Sequence, residues 1–160
     1  MDKAKIYLGE IHTQISFAKK SYDAYLAAKN EDDISDMFLH IHHFVIHATN
    51  IDKLIDVSPL TFRGKILNGH LDMSGIDLKL FRKLRNHLEH FDERLDKWVK
   101  EFDGFPFFDM NLVTGAKGFP DRAFLRALDG NNFRFHGESY NLAELYEQIK
   151  TIEGRIGEGD

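Results

Sequence analysis

Residues 34–57 form the stretch that most restricts how this chain can fold. On a helix drawn through this stretch, apolar side chains occur around most of the circumference. These apolar residues are Met37, Phe38, Leu39, Ile41, Phe44, Val45, Ile46, Ile51, Leu54 and Ile55. A helix that is apolar on nearly every side has to be surrounded by other elements. The stretch therefore predicts the middle helix of a bundle, ending at Ser58-Pro59.

Residues 2–28 predict the first partner of that helix. Their apolar positions alternate between spacings of four and three, which is the seam of a packed helix pair. These positions are Ala4, Leu8, Ile11, Ile15, Ala18, Tyr22 and Tyr25. Asn30 and the acidic residues after it end the pattern. A short helical piece is predicted from Thr61 to Leu67, before the turn signal Asn68-Gly69.

A further helix is predicted from Ser74 to about Phe102. Ser74, with Asp77 three residues later, resembles a capping box in which Asp replaces the usual Glu or Gln. Gly104 and Pro106 stop the helix. Its predicted core face consists of Leu80, Leu84, Leu88, Phe91, Leu95 and Trp98.

After residue 104 the chain becomes rich in phenylalanine and glycine. Three short strands are predicted in segments 107–115, 123–130 and 131–138, with Asp129-Gly130 as a hairpin signal. Asn141 begins a last helix, because Glu144 follows it as in a capping box. The predicted fold is mainly α, with a helical bundle over 1–102. A three-stranded antiparallel sheet and a C-terminal helix over 103–160 complete one α+β domain.

Composition excludes several classes of function. The chain has no cysteine, which excludes disulfides, thiolate metal sites and cysteine nucleophiles. No apolar run approaches the roughly 20 residues of a membrane span. The N-terminus also lacks the apolar core of a signal peptide, so we expect a cytoplasmic protein. A formal net charge of −5 argues against general coating of nucleic acids, so any RNA contact needs a local cluster of Lys and Arg.

The segment 84–98, LRNHLEHFDERLDKW, is unusually polar for the middle of a helix. At about 100° per residue, one face carries Lys79, Arg82, Lys83, Asn86 and His90. That face is basic at its N-terminal end, which provides the local cluster. Arg85 lies about 140° from His90 around such a helix, so the two flank a face rather than meet. The simplest interpretation is an Arg85–Glu89 ion pair and a solvated His90.

The same residues also fit a known signature. Arg85, Asn86 and His90 match the R-N-x-x-x-H form of the R-x(4–6)-H signature, and residues 1–102 resemble the helical bundle of HEPN-superfamily proteins. In many HEPN proteins this signature builds a metal-independent ribonuclease site across a homodimer. The resemblance implies that His90 is the general acid or base, that Arg85 stabilises the phosphorane and that Asn86 orients the reacting groups. Lys79, Arg82 and Lys83 are then the expected substrate-binding residues.

One position departs from the toxin branch of this superfamily. There, a tyrosine that a partner nucleotidyltransferase modifies stands two residues after the histidine, and here that position is Asp92. The resemblance therefore does not extend to regulation by that modification. The residues also leave open an alternative function, a non-catalytic HEPN-like dimeric module that binds a nucleotide, RNA or a protein partner.

The second helix carries a stripe of polar residues as well as its apolar ones. His40, His43, His47 and Asn50 share one side of it at spacings of three and four. They predict a polar seam that lines the bundle or a dimer interface. A position beside the candidate catalytic residues and a divalent-metal site are the alternatives. Because no acidic residue of this helix shares the stripe, we expect no metal and no cofactor.

Overall fold

The structure is a computed structural model that describes residues 2–101, 109–113, 120 and 123–157. The helices in these ranges are α1 (Lys3–Asn30), α2 (Ile34–Ile55), α3 (Phe62–Leu67), α4 (Lys79–Glu89), α5 (Phe91–Glu101) and α6 (Leu142–Gly157). The strands are β1 (Asn111–Leu112), β2 (Arg126–Asp129), β3 (Asn132–Phe135) and β4 (Glu138–Asn141). The predicted class, a mainly helical α+β fold with a small sheet and a final helix, is confirmed.

Helices α1 and α2 pack along each other and form the centre of the bundle. Asp2 caps α1 by accepting a hydrogen bond from the backbone N–H of Ala4, and Asp33 caps α2 in the same way. All residues of the predicted α1 seam are buried except Leu8, which is half-buried. Helix α2 contacts α1 and α4, so it is the middle helix that its apolar circumference predicts.

The short helix α3 contacts α1, and Arg63 of α3 donates to the carbonyl oxygen of Lys53 near the end of α2 at 2.9 Å. The hydroxyl of Thr61 accepts a hydrogen bond from the N–H of Gly64 at 3.1 Å and caps α3. A Cβ atom on Gly64 would collide with the carbonyl oxygen of Ser58. The close approach of α3 to the backbone at Ser58 therefore requires glycine at position 64.

The single helix predicted over residues 74–102 is wrong in two respects. Ser74 bonds to Asp72 rather than capping a helix, and α4 begins only at Lys79. The helix then breaks at His90, whose φ of −108° and ψ of 42° lie outside helical geometry. Residues 79–101 are therefore two helices, α4 and α5, and residue 102 lies outside the described residues.

The buried face of α4 also differs from the predicted one. Leu84 and Leu88 are buried as predicted, but Leu80 is 51% exposed and Phe81 takes its place in the core. Leu80 lies about 100° from Phe81 around the helix, which turns it away from the side that packs on α2. On α5, Trp98 is buried, whereas the predicted core residues 91 and 95 are only half-buried.

The sheet has four strands in the order β1-β2-β3-β4, so the prediction of three antiparallel strands is corrected at both edges. Strand β1 pairs with β2 in parallel, and β4 is an additional antiparallel strand. The predicted β2–β3 hairpin is present and turns at Gly130, whose φ is 61°. His136 and Gly137 form the β3–β4 turn with φ of 50° and 82°, a type I′ pattern. A histidine is not the usual first residue of such a turn, so the last strand escapes prediction.

Helix α6 closes the fold against α1. Its predicted cap is present, because the Asn141 side chain accepts a hydrogen bond from the N–H of Glu144 at 3.1 Å. A 2.8 Å ion pair between Lys19 and Glu153 joins α6 to α1. One cluster of buried residues includes side chains from α1, α2, α4, the sheet and α6. Within the ranges that the structure describes, no helix combines the length and apolar character needed to cross a membrane.

Candidate functional site

Asp52 of α2 and Asp56, the residue that follows this helix, hold Arg82, one of the three predicted substrate-binding residues. Its guanidinium bonds to both carboxylate oxygens of Asp52 and also to Asp56. Asp52 is 3% exposed, whereas the Arg82 side chain is 36% exposed and borders a cavity of about 300 Å³. The hydrogen bond to Asp52 raises the pKa of Arg82. In this chain Arg82 therefore forms part of the α2–α4 interface.

The other two predicted substrate-binding residues differ from each other. Lys83 Nζ lies 2.6 Å from Glu138 Oε1 on β4, and Glu138 also accepts a hydrogen bond from the Tyr140 hydroxyl at 2.8 Å. Lys79, the first residue of α4, is exposed and lines the same cavity as Arg82. Among the described residues, no carboxylate forms an ion pair with Lys79. Lys79 is therefore the member of this set whose charge is available.

Arg85 combines an ion pair with an unsatisfied donor. Its side chain is 18% exposed, and its Nε lies 3.4 Å from Glu89 Oε2 without hydrogen-bond geometry. Glu89 also lies 3.5 Å from Lys53 Nζ on α2, so two cations share this carboxylate. The Nε–H of Arg85 is buried and has no hydrogen-bond partner among the described residues. The nearby Glu89 carboxylate attracts this nitrogen electrostatically, but its capacity to donate a hydrogen bond is not used.

Asn86 and His90 are both exposed where α4 ends. The N–H of His90 donates to the carbonyl oxygen of Asn86 at 3.1 Å, and residues four apart lie on the same side of a helix. The His90 imidazole is 50% exposed, and its Nδ1 lies 3.3 Å from Glu93 Oε1. The candidate acid or base thus reaches solvent at the break between α4 and α5.

The histidine stripe of α2 partly faces α1. Nδ1 of His47 lies 2.9 Å from the Gln14 side-chain oxygen, to which Asn50 also donates at 3.4 Å. His40 and His43 contact each other with ring centroids 6.1 Å apart, and His43 is exposed. Burial, with a smaller effect of His43, lowers the pKa of His47. Two members of the stripe thus form a polar seam within the bundle, and none has a described contact with the candidate catalytic residues.

His87 is the histidine of α4 for which the sequence predicts no chemical role. Its Nδ1 accepts a hydrogen bond from Arg94 Nε at 2.9 Å, and its ring stacks on His136 with centroids 6.2 Å apart. Burial is the main cause that lowers the pKa of His87, followed by the charge of Arg94. The spacing contains a signal for this pair, because seven residues are nearly two helical turns. His87 and Arg94 would therefore share a face even on a straight helix.

Among the described residues, no group of three or more histidine, aspartate or glutamate side chains is placed to hold a metal ion. Comparison with known proteins finds no family model, curated protein or solved structure that matches the chain. The function therefore has to be inferred from the side chains themselves.

Proposed function

We propose that this protein is a metal-independent endoribonuclease of HEPN type, with a composite site at a homodimer interface. The unsatisfied Nε–H of Arg85 is the observation that carries this proposal. A buried donor that makes no hydrogen bond calls for an explanation, and a phosphate oxygen is an acceptor that the guanidinium matches well. Arg85 directly precedes the exposed Asn86, and His90 follows where the helix ends.

The reaction would use the 2′-hydroxyl of RNA as its nucleophile. This hydroxyl attacks the adjacent phosphorus while the 5′-oxygen of the next nucleotide leaves. His90 takes the hydroxyl proton or gives a proton to the leaving oxygen, chemistry for which imidazole is suited near neutral pH. Arg85 stabilises the charge on the phosphorane oxygens, and Asn86 orients the phosphate or the imidazole. The products are a 2′,3′-cyclic phosphate and a 5′-hydroxyl.

A second copy of the chain would bring the reacting groups together. Arg85 and His90 are about 140° apart around an ideal helix, so a single α4 does not direct both at one phosphate. The exposed start of α4 carries Lys79 and Lys83, whereas the exposed first half of α5 carries acidic residues at 92, 93 and 96. Antiparallel pairing across a twofold axis would set the basic end of one copy against the acidic part of the other.

Glu89 would control whether Arg85 is available for phosphate. A phosphate oxygen that binds Arg85 has to displace Glu89, which can keep its contact with Lys53. Glu89→Gln removes the competing charge at nearly constant size. This variant should therefore bind RNA more tightly than the wild type.

A separate observation favours the second candidate function, a non-catalytic HEPN-like dimeric module that binds a nucleotide, RNA or a protein partner. Arg82, Lys83 and Arg85 each have a carboxylate partner within the chain. Phosphate binding at these cations would have to break existing ion pairs. A protein partner that covers the same surface could leave all three pairs in place.

Cleavage of an end-labelled single-stranded RNA in EDTA would separate the two functions. Light scattering should show a dimer, the products should carry 2′,3′-cyclic phosphates, and DNA of the same sequence should stay intact because it lacks the 2′-hydroxyl. Arg85→Ala and His90→Ala should each lose about 10²–10⁴-fold in rate with unchanged circular dichroism. His12→Ala removes an exposed histidine on α1 and should retain full activity.

Two outcomes would exclude the ribonuclease and leave the binding module. One is a pure dimer that cleaves no RNA, and the other is a His90→Ala variant that cleaves as fast as the wild type. Glu89→Gln adds a further check, because unchanged RNA affinity would show that Arg85 does not bind phosphate.

A further inference from the structure

A side-chain hydrogen bond spans the break between α4 and α5. Arg94 on α5 donates from Nε to Nδ1 of His87 on α4 at 2.9 Å. The bond requires a lone pair on Nδ1, so the imidazole is neutral and its proton is on Nε2. That Nε2 is buried and has no hydrogen-bond partner among the described residues. Among the described residues, the imidazole of His87 therefore makes one hydrogen bond, through Nδ1. This bond joins α4 to Arg94 on α5, across the break.

The groups around this imidazole disfavour its protonated form. Arg94 is a permanent cation in direct contact, His136 of the β3–β4 turn stacks on the ring, and Lys83 lies one turn earlier on α4. Glu138 on β4 acts in the opposite direction, but it is engaged by Lys83 at 2.6 Å. Burial and the positive charge of Arg94 together outweigh this carboxylate and lower the pKa of His87.

We propose that the hydrogen bond between His87 and Arg94 is a pH-sensitive clasp that sets the angle between α4 and α5 and thereby positions His90. When His87 gains a proton, its Nδ1–H faces the Nε–H of Arg94, so two donors and two cations meet and the clasp opens. His90 lies at the break between the two clasped residues. The consequence for RNA cleavage rests on the proposed function, whereas the clasp itself does not.

Burial determines the direction of the pH effect. Because the pKa of His87 is lowered from its ordinary value of 6.5, the open junction takes up a proton more readily than the closed one. The clasp therefore stabilises the junction fully above about pH 6.5, and this contribution is lost as the pH falls from there toward the pKa of the closed state. Glu93 lies 3.5 Å from the guanidinium of Arg94 and partly offsets the electrostatic effect of this cation on His87. Glu93 itself has no described contact with His87.

Trp98 provides the readout, because it is the only tryptophan of the chain and is 4% exposed on α5. Its emission should stay constant above about pH 6.5 and shift to longer wavelength as the pH falls from there, because the contribution of the clasp is lost in that range. His87→Asn keeps an acceptor near the position of Nδ1 but takes up no proton in this range, so its transition should vanish. His90→Asn, which removes the exposed histidine at the break, should keep the transition.

The NMR signal of the His90 ring would report its position directly. In the wild type this signal should show a second inflection at the midpoint of the Trp98 transition, and in His87→Asn the second inflection should be absent. Neither measurement involves RNA, so both remain informative if the chain cleaves none. If cleavage is observed, the acid side of the kcat/KM profile should contain an inflection at the same midpoint, besides any that the catalytic imidazole contributes, and this inflection should be missing in His87→Asn.

A Trp98 transition that is absent from the wild type, or that persists unchanged in His87→Asn, would overturn the clasp. A transition without a second inflection of the His90 signal would overturn the positioning role. Should His87→Asn fail to fold, Arg94→Leu tests the same contact from the other side. It removes both the donor and the facing cation, so the Trp98 transition should vanish, while the NMR signal of the His87 ring should titrate at higher pH than in the wild type. A Trp98 transition that persists unchanged in Arg94→Leu would also contradict the clasp.

Discussion

Replacing Arg82 with methionine would test whether this residue belongs to the fold or to a substrate site. Methionine keeps much of the apolar stem but removes the guanidinium, which leaves Asp52 buried without its cation. Breaking a fully buried ion pair costs about 3–5 kcal/mol. Here the Arg82 side chain is 36% exposed, and the adjoining cavity gives water access to Asp52. We therefore expect the free energy of unfolding to fall by about 2–3 kcal/mol.

Urea denaturation followed by circular dichroism would measure this loss, and the thermal midpoint should fall by about 5–10 °C. Adding Asp52→Leu should recover part of the stability, because the double variant no longer buries a charge alone. The double-mutant cycle then yields the coupling between the two side chains. Lys83→Met is the matched control: its ion pair is with Glu138, its side chain is 55% exposed, and the loss should stay below about 1 kcal/mol.

Two results would refute this account of Arg82. One is a loss below about 0.5 kcal/mol, which is the size expected for a surface substitution away from any special feature. The other is an additive double variant, which would mean that Asp52 and Arg82 are not coupled. Either result would leave the guanidinium free to bind phosphate, as the sequence predicts.

Three further predictions concern packing, and thermal unfolding would measure each of them. Gly64→Ala should lower the free energy of unfolding by about 1–3 kcal/mol, because the new Cβ would meet a backbone carbonyl oxygen. Gly154→Ala on α6 should raise it by up to about 1 kcal/mol, because a Cβ there meets open space. Similar effects at the two sites would show that α3 does not lie this close to the preceding turn. Leu84→Ala should cost about 2–5 kcal/mol and Leu80→Ala less than about 0.5 kcal/mol; comparable losses at both positions would restore the predicted helix phase, which buries both leucines. Tyr25→Phe should be neutral or stabilising, because the Tyr25 hydroxyl is buried and has no partner among the described residues; a loss above about 1 kcal/mol would reveal a hydrogen bond there.

Most of the helical fold could be predicted from local patterns along the chain. Helices α1, α2, α3 and α6 lie close to their predicted positions, because apolar spacing and capping residues act within a few turns of helix. The β2–β3 hairpin follows in the same way from Asp129-Gly130. The parallel pairing of β1 was not predictable, since it joins segments that are distant in sequence and no local pattern specifies its direction.

The segment of α4 and α5 that carries Arg85 and His90 shows where local patterns stop being sufficient. The ion pair between Arg85 and Glu89 follows from their spacing of four on one helix. The break at His90 has no such signal, because no glycine or proline marks it. Contacts on its two sides accompany the break, including Phe91 against Phe135 of the sheet with ring centroids 6.1 Å apart.

The sequence by itself determined which residues have the chemistry of a site, but only the tertiary structure decided what each of them is bonded to. Arg82 and Lys83 are equally plausible phosphate ligands on a helical wheel, yet one binds a buried carboxylate of α2 and the other a carboxylate of β4. The physical reason is that a helix determines which residues share a face with one another. The electrostatic partner of a face depends on which other element packs against it, and that partner comes from a distant part of the chain.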